Sequence, residues 1–257
     1  MVAPSGKYMV SQKQTKKPDS TLSVSAPGHS KRLYMEYLGY QQIEVNVIQD
    51  RFYQSIIRDA LQGGQSRNFR NITKTGPDAR IYDLDINSQY PAAMVLFQHR
   101  YVDESTARHM TLEEMEQYRQ ALNRGEKSDK IFVCYATIEI NPHQFNQINS
   151  TKESGKTMFA CGKITKWFIS TMIENEIEQS VFEMSKNKNV RPCKVLRIMR
   201  GIIYDGFQDP QVFKYVNEMY EKKKVLAMDK GTPNFKPSQY DKVKVMMNGL
   251  YGKLCER

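Results

Sequence analysis

Strand-like and helix-like stretches follow one another along this chain without a regular repeat. Mostly apolar runs rich in β-formers predict strands over residues 130–141 and 193–207, and apolar residues at helical spacing predict helices near Phe52–Leu61 and over 165–184. A doubly wound parallel sheet needs strands and helices in regular alternation, which this order lacks. The sequence therefore predicts an α+β fold.

Capping residues predict where three further helices begin. Thr111 with Glu114 three positions later has the spacing of a capping box, and Gly125 is the expected stop of that helix. Asp209, followed by a proline, is expected to open a helix that runs to about residue 229. Ser238 is expected to open the last helix of the chain.

Positive charge is concentrated at the start of the chain. The 257 residues carry a net charge of +10, and residues 1–32 hold half of it, with six lysines and arginines against Asp19 alone. This segment is rich in Ser, Pro, Thr and Gln and has no apolar period or signal-peptide core, so we predict a disordered basic tail without a secretory signal. No run of about 18 apolar residues occurs in the sequence, so no membrane span is expected.

The remaining basic excess favours a polyanionic partner, although a solvated surface can have the same composition. The four cysteines are widely spaced and form no C-x-x-C pair: Cys134, Cys161, Cys193 and Cys255. We therefore expect reduced core cysteines in an intracellular protein, and neither a zinc site nor a disulfide framework.

Two carboxylates stand on one side of a predicted strand. In the sequence Tyr82–Ile86, Asp83 and Asp85 alternate with apolar residues, and alternate side chains of a strand share a face. A bound Mg²⁺ would offset the repulsion between these carboxylates, because hard dications prefer oxygen ligands. The alternative interpretation is that the strand simply ends with two solvated aspartates and binds no metal.

A turn is predicted directly after this strand, over Ser88–Pro91. Its backbone N–H groups, with the Ser88 hydroxyl, can receive phosphate oxygens. Pro91 disfavours helical backbone at the residue before it, so Tyr90 is expected to be extended.

The last predicted helix has a polar face. Lys244, Asn248 and Tyr251 recur at helical spacing and present a cation, an amide and an aromatic ring on one side. The helix before it carries three consecutive lysines at 222–224. These two helices could bind a triphosphate and a nucleotide base pair. The alternative interpretations are two solvated basic helices and a surface that binds single-stranded nucleic acid.

These segments resemble motifs of the family B DNA polymerases. "YDLDINSQYPAAM" is similar to motif A, D-x-x-S-L-Y-P, and "KVMMNGLYGK" is similar to motif B, K-x-x-x-N-S-x-Y-G. The resemblance is closest to the protein-primed branch of terminal-protein phages, adenoviruses and linear plasmids. "FKYVNEMYEKKK" resembles the first fingers helix, and "LQGG" at 61–64 is similar to the Y-x-G-G element that binds template.

The resemblance implies roles for individual residues. Asp85 would be the catalytic carboxylate and would ligate Mg²⁺ together with the Ile86 carbonyl. The implied nucleotide-binding residues are Ser88, Gln89, Tyr90, Lys224, Lys244 and Asn248, and the implied DNA-binding residues are Gly63, Gly64, Tyr251, Gly252 and Lys253. Lys224 is chosen by spacing from three adjacent lysines, any of which could touch the triphosphate.

The resemblance also implies a domain plan. Residues 33–75 would be the junction that follows an exonuclease domain, and 76–207 the antiparallel palm with an insertion like the one that contacts terminal protein. Residues 208–257 would be the two fingers helices with motif B. The implied activity is template-directed, protein-primed transfer of deoxynucleotides to a 3′-hydroxyl or to a terminal-protein hydroxyl. The implied partners are primer–template DNA, a deoxynucleoside triphosphate and a terminal protein, without a membrane.

The sequence departs from the family pattern in one respect that bears on catalysis. The Y-x-D-T-D of motif C is absent, so the second carboxylate of a two-Mg²⁺ site is not in these residues. We therefore expect the isolated chain to be an incomplete polymerase that extends primers poorly or not at all. The alternatives are a non-catalytic nucleic-acid-binding protein with the polymerase fold and a Mg²⁺ nuclease that uses Asp83 and Asp85.

Overall fold

The computed structural model describes eight strands, seven α-helices and two short 3₁₀ helices. The residues it describes are 5–8, 25–43, 45–48, 51–60, 88–96, 101–141, 148, 150–151, 157–158, 161–208 and 210–254. The chain divides into two compact units. The first unit comprises Met1–Gly6, Asn46–Gln65 and Val102–Phe207, and the second comprises Lys7–Val45, Ser66–Tyr101 and Gln208–Arg257. The predicted α+β class is confirmed, whereas the predicted domain ranges do not coincide with these units.

A four-stranded antiparallel sheet forms the centre of the first unit. Its strands, in spatial order, are β3 (Ala107–His109), β8 (Lys194–Tyr204), β4 (Ile131–Ile140) and β7 (Gly162–Ile169). Strand β4 pairs with β7 on one side and with β8 on the other. Its register with β8 shifts between Tyr135 and Ala136 and again between Thr137 and Ile138. Because every pairing is antiparallel, the sheet needs no crossover helices.

Among the described residues, two helices pack on one face of this sheet and one helix packs at one end of the other face. Helices α4 (Leu112–Asn123) and α5 (Ser170–Lys186) pack on the face that carries the buried Phe132, Ala136 and Ile138. On the opposite face, α2 (Arg51–Ala60) packs its buried residues Ile56 and Ala60 near Val133, Ile202 and Tyr204. The remainder of that second face has no helix packed on it among the residues that the structure describes.

Local sequence signals explain the ends of α4. The predicted capping box is confirmed: the Thr111 hydroxyl accepts from the Glu114 N–H at 3.1 Å, and the Glu114 carboxylate accepts from the Thr111 N–H at 2.9 Å. Gly125 follows the helix with φ of 78°, a conformation that glycine adopts without strain. This helix is therefore specified by its own sequence.

The predicted helix over 165–184 is partly wrong. Residues 162–169 form β7, and the helix begins only at Ser170. The segment before Ser170 contains Thr165, Trp167 and Ile169, which favour extended backbone, and it pairs with β4 over eight residues. Tertiary pairing therefore overrides a helical period that the sequence alone suggested.

The second unit is mainly helical. Its elements are α1 (Ala26–Tyr40), α3 (Gln89–Leu96), a 3₁₀ turn at Pro210–Phe213, α6 (Lys214–Met228) and α7 (Pro237–Leu254). Helices α6 and α7 are the predicted pair, and Gly231 between them has φ of 86°. The core of the unit contains Tyr34, Val216 and Leu250. The predicted start of the first of these helices at Asp209 is wrong, because α6 begins at Lys214 with Phe213 at its N-cap position, after the 3₁₀ turn. Asp209 itself lies outside the described residues.

The prediction of a disordered tail over residues 1–32 is wrong at both of its described parts. Ser5–Tyr8 forms β1, which pairs with β2 (Val45–Ile48). Helix α1 begins at Ala26, where the Ser25 hydroxyl accepts from the Gly28 N–H at 3.2 Å. The buried Ser30 hydroxyl donates to the Met246 carbonyl at 2.5 Å, so this helix is fixed to α7. The basic composition of residues 1–32 led to the prediction of disorder, although a helix capped by Ser25 begins there.

Strands β5 (Ser150–Thr151) and β6 (Thr157–Met158) form a separate two-stranded ladder. Within the ranges described, no helix is long and apolar enough to span a bilayer.

Candidate functional site

Ser88 occupies an unusual backbone position just before α3. Its φ is 56°, a region that residues other than glycine seldom adopt, and its carbonyl accepts from the Ala92 N–H at 2.9 Å as the first turn forms. The hydroxyl of Ser88 accepts a short hydrogen bond from the ammonium group of Lys223. The residue therefore connects the start of α3 to the middle of α6.

Lys223 is a buried cation. It is 4% exposed, although lysine is almost never fully buried without a partner. Its Nζ contacts the Ser88 hydroxyl and lies 5.8 Å from the centre of the Tyr240 ring on α7. Burial of an ammonium group is costly unless polar or aromatic groups replace its water, and these two groups do so. One lysine thus joins α3, α6 and α7.

Tyr240 is surrounded by three cations. The Nζ of Lys230 lies 4.2 Å from its ring centre. The pKa of the Tyr240 hydroxyl is lowered, first by a hydrogen bond from Lys230 and then by the charges of Lys223, Lys230 and Lys244. Because all these charges stabilise the ionised phenol, they mark a region of positive potential. We call Ser88, Lys223, Lys230, Tyr240 and Lys244 the lysine cluster.

The three adjacent lysines of α6 have different surroundings. Lys224 is exposed, and its Nζ forms an ion pair with Glu221 Oε1 at 2.7 Å and lies 4.6 Å from the centre of the Tyr220 ring. Lys222 instead lines a separate cavity of about 740 Å³ beside α1. Lys224 was chosen by spacing, whereas the lysine that contacts Ser88 is Lys223. Which of the three lysines would touch a triphosphate stays a prediction.

Residues Gln89 and Tyr90 form the first turn of α3, and both side chains are exposed. The predicted extended backbone at Tyr90 is wrong. Pro91 stands in the first helical turn, where its missing N–H has no helical partner to lose, so it does not prevent the helix. The backbone N–H groups of Gln89 and Tyr90 follow Ser88 directly in the sequence.

The polar face predicted for the last helix is present in α7. Lys244 and Asn248 are exposed one turn apart, and Tyr240 precedes Lys244 by one turn on the same face. Tyr251, Gly252 and Lys253 belong to the last turns of α7, and their side chains are not among those described.

Several predicted site residues lie outside the described residues: Gly63, Gly64, Asp83, Asp85 and Ile86. Among the residues that the structure does describe, no group of three or more His, Cys, Asp or Glu side chains could hold a metal ion. The proposed Mg²⁺ ligands and the template element therefore stay predictions.

Sequence reasoning missed two members of the lysine cluster, Tyr240 and Lys230. Tyr240 could have been found, because it stands four residues before Lys244 on a face that had already been identified. Lys230 could not, because it lies in the turn after α6 and its proximity to Tyr240 depends on how the two helices pack.

Comparison with known proteins identifies one family. The family model described as "DNA polymerase type B, organellar and viral" matches residues 9–255. A search of curated proteins finds no match. Among solved structures, the phi29 DNA polymerase complexed with primer–template DNA, in its post-translocation binary complex, matches with 13% identity and a TM-score of 0.49. The match covers 92% of this chain and 36% of that polymerase chain.

Proposed function

Because this chain belongs to the organellar and viral type B DNA polymerases, we propose that its lysine cluster binds the triphosphate of an incoming deoxynucleotide. The reaction we propose for the whole polymerase is template-directed transfer of that deoxynucleotide to a primer 3′-hydroxyl. For a protein-primed enzyme, the first acceptor is a hydroxyl group of a terminal protein.

The observation that carries the proposal is the hydrogen bond between Lys223 and Ser88. Ser88 belongs to the segment that resembles motif A and Lys223 to the segment that resembles the first fingers helix, and 135 positions separate them in the sequence. A hydroxyl group and an ammonium group in contact can both turn to phosphate oxygens, and charge-assisted hydrogen bonds to phosphate are among the strongest in proteins. The N–H groups in the first turn of α3 add donors beside them.

The other residues of the cluster have complementary roles in this proposal. Lys230 and Lys244 neutralise the remaining phosphate charge, and Lys223 takes the role that spacing had given to Lys224. Tyr90 supports the sugar, the Gln89 N–H holds a phosphate oxygen, and Asn248 lines the nascent base pair. In this arrangement the cations and donors converge on the phosphates, whereas the aromatic and amide groups contact the nucleoside.

We propose further that the Asp85 carboxylate and the Ile86 carbonyl hold Mg²⁺, for which hard oxygen ligands are suited. Bound Mg²⁺ would supply neutralisation of the charge on phosphate oxygens. Lys223 and Ser88 would orient the same triphosphate from the protein side. Gly63, Gly64, Tyr251, Gly252 and Lys253 are proposed to contact primer–template DNA, and the 130–207 interval is proposed to contact a terminal protein.

Two neighbouring substitutions test the nucleotide site. Lys223→Met removes the ammonium group and keeps the apolar stem, whereas Lys224→Met makes the same chemical change at an exposed position one residue along. We expect Lys223→Met to weaken Mg²⁺-dependent dATP binding about tenfold or more, as expected for a hydrogen bond to a charged group. Lys224→Met should change the dissociation constant less than twofold. Calorimetric titration measures both, and circular dichroism checks that each variant is folded.

Equal losses in the two variants, or no loss in Lys223→Met, would contradict the proposed site. A second arm uses Asp85→Ala, which should abolish the Mg²⁺-dependent part of dATP binding and leave affinity for primer–template DNA unchanged. If the unmodified chain binds DNA but shows no Mg²⁺-dependent dATP binding, the non-catalytic nucleic-acid-binding alternative is supported instead.

A further inference from the structure

The open part of the sheet in the first unit carries an ordered set of side chains. The pairing registers place residues of β7, β4 and β8 side by side in three rows on the face opposite α4 and α5. The first row is Trp167, Tyr135 and Arg200; the second is Thr165, Thr137 and Arg197; the third is Lys163, Glu139 and Lys194. We call these nine residues the open sheet face.

An aromatic pair forms one end of the open sheet face. The ring centres of Tyr135 and Trp167 lie 5.5 Å apart, and both side chains are half-buried. Trp167 also packs against the cluster that includes Ile56 of α2. The two rings are therefore held in place by packing and leave part of their surface to solvent, as a stacking platform requires.

Four of the other seven residues of the open sheet face are cations. Lys163, Lys194, Arg197 and Arg200 are all exposed, and Glu139 is the single carboxylate among the nine residues. None of these four cations forms an ion pair within the part of the chain that the structure describes. By contrast, two other basic residues of the first unit, Arg108 and Lys130, are paired with carboxylates. A net charge of +3 thus stands beside an aromatic pair.

Thr137 and Thr165 form the middle of the surface. Their hydroxyl oxygens lie 2.9 Å apart, so one donates to the other and a donor or an acceptor position remains for a ligand. The surface therefore offers stacking, hydrogen bonding and positive charge in adjacent rows. Adjacent strands are about 4.8 Å apart, so three strands span roughly 10 Å.

We propose that the open sheet face binds a single strand of nucleic acid, with bases on Tyr135 and Trp167 and phosphates on Arg197, Arg200, Lys163 and Lys194. Single-strand binding proteins combine aromatic platforms with a cationic path for the backbone, and both are present here on one sheet face. An acidic protein segment would use the cations but would leave the aromatic pair without a role. The proposal concerns a surface in the first unit and does not rest on the nucleotide site.

The chain has a built-in probe for this surface, because Trp167 is its single tryptophan. We expect a twelve-residue oligo(dT) strand to quench the fluorescence of the full chain in a saturable way, because a base stacks on that ring. The affinity should fall with salt, since each phosphate contact to a single strand contributes about −0.7 to the slope of log K against log salt. A duplex of the same length should quench less, because its bases are already stacked.

Three variants of the full chain identify the contacts. Arg197→Ala with Arg200→Ala should flatten the salt slope by about 1.4. Tyr135→Ala should weaken oligo(dT) binding about fivefold or more, as expected for the loss of one stacked base. The matched control is Arg124→Ala with Lys127→Ala, which removes two exposed cations from the same unit at a distance in sequence from the sheet rows. This control should leave both the slope and the affinity unchanged.

The proposal is overturned if oligo(dT) leaves the Trp167 emission unchanged, or if the control pair changes the salt slope as much as the arginine pair does. It is also overturned, in favour of an acidic protein partner, if a poly-glutamate peptide of equal length binds more tightly than oligo(dT) and Tyr135→Ala has no effect on either ligand. Circular dichroism of each variant separates loss of binding from loss of fold.

Discussion

Two adjacent lysines of the candidate site have different surroundings. Lys223 and Lys224 are neighbours on α6, but successive residues of a helix point about 100° apart. Lys223 is 4% exposed and contacts Ser88, whereas Lys224 is exposed and pairs with Glu221. The buried lysine loses its hydration, so its ammonium group interacts more strongly with any charge that reaches it than the exposed one can. Its burial and its contact with Ser88 are our reasons for proposing Lys223 rather than Lys224 as the phosphate-binding lysine.

The ionisation of Tyr240 reports on the same charges. Its pKa is lowered, mainly by Lys230 and also by Lys223 and Lys244. We predict that Lys230→Met raises the pKa of Tyr240 back towards its ordinary value, because the phenolate loses a hydrogen-bond donor and a nearby positive charge. Saturating dATP should also raise this pKa in the unmodified chain, since phosphate charge disfavours the phenolate.

Carbon NMR of ζ-labelled tyrosine measures this titration, and Tyr240→Phe identifies the signal. Lys236→Met provides a control, because Lys236 lies in the same connection between α6 and α7 but is not a cause of the Tyr240 shift. A dATP-saturated chain whose Tyr240 titrates as in the free chain would contradict binding of phosphates at the lysine cluster.

The sequence could identify Ser88, Lys244 and Asn248 as candidates because their spacing matches family motifs. It could not choose among the lysines at 222–224. Helical spacing gives the angles between these side chains, but it does not show which of them faces α3. That direction depends on how α3 and α7 pack on α6, which is a property of the folded chain. The same helical spacing could have identified Tyr240, but it could not have identified Lys230.

At the scale of elements, α4 is fixed to the sheet by a charged network at its start. Arg108 on β3 donates to both oxygens of Glu114, at 2.9 and 2.7 Å, and its Nε donates to Asp205 at 2.5 Å. Lys130 also donates to Asp205, at 2.5 Å. The capping carboxylate of α4 is therefore the same group that binds the β3 arginine, which couples the helix to the edge of the sheet.

This network predicts a pH dependence of stability. Arg108 and the capping N–H hold the pKa of Glu114 at about 2, below the ordinary 4.5. A carboxyl group with a depressed pKa stabilises the fold above its unfolded pKa and loses that contribution as the pH falls through the folded value. Glu114→Gln should therefore destabilise the chain at pH 7, and the difference from the unmodified chain should shrink between about pH 4.5 and pH 2.

Urea unfolding at a series of pH values measures this difference. Glu113→Gln is the matched control, because Glu113 is adjacent, exposed and in contact only with Gln117 among the bonds described. Its difference from the unmodified chain should be small at every pH. A Glu114→Gln difference that stays constant from pH 7 to pH 3 would show that the network does not contribute as described.

Elements with strong local signals could be predicted, and elements defined by pairing could not. The α4 capping box, the strand over Ile131–Ile140 and the helix before Gly231 follow from residues within each segment. The start of α5 at Ser170 depends on pairing of β7 with β4, which a local period does not contain. Helix α1 was missed because its basic composition suggested a solvated tail, although Ser25 and the apolar spacing of Tyr34 and Leu38 indicate a helix.

At the scale of the whole chain, each of the two units has its own hydrophobic core. The sheet unit contains the open sheet face, and the helical unit contains the lysine cluster. The helical unit is assembled from three separated stretches of sequence, which brings the segment at Ser88 together with α6 and α7. The family resemblance implied palm residues over 76–207 and fingers residues over 208–257, and these ranges stay a prediction. The order of the sequence does not show which distant stretches pack together.

In the proposed site, Ser88 and Lys223 act as one phosphate-binding unit. A double-mutant cycle tests this coupling: the dATP dissociation constant is measured for the unmodified chain, for Ser88→Ala, for Lys223→Met and for the double variant. Groups in direct contact show coupling of about 0.5–3 kcal/mol, whereas independent groups do not. We predict that each single variant binds dATP more weakly and that the double variant binds about as well as the weaker single variant. Losses that simply multiply in the double variant, or a Lys223→Met variant that binds dATP normally, would contradict the account.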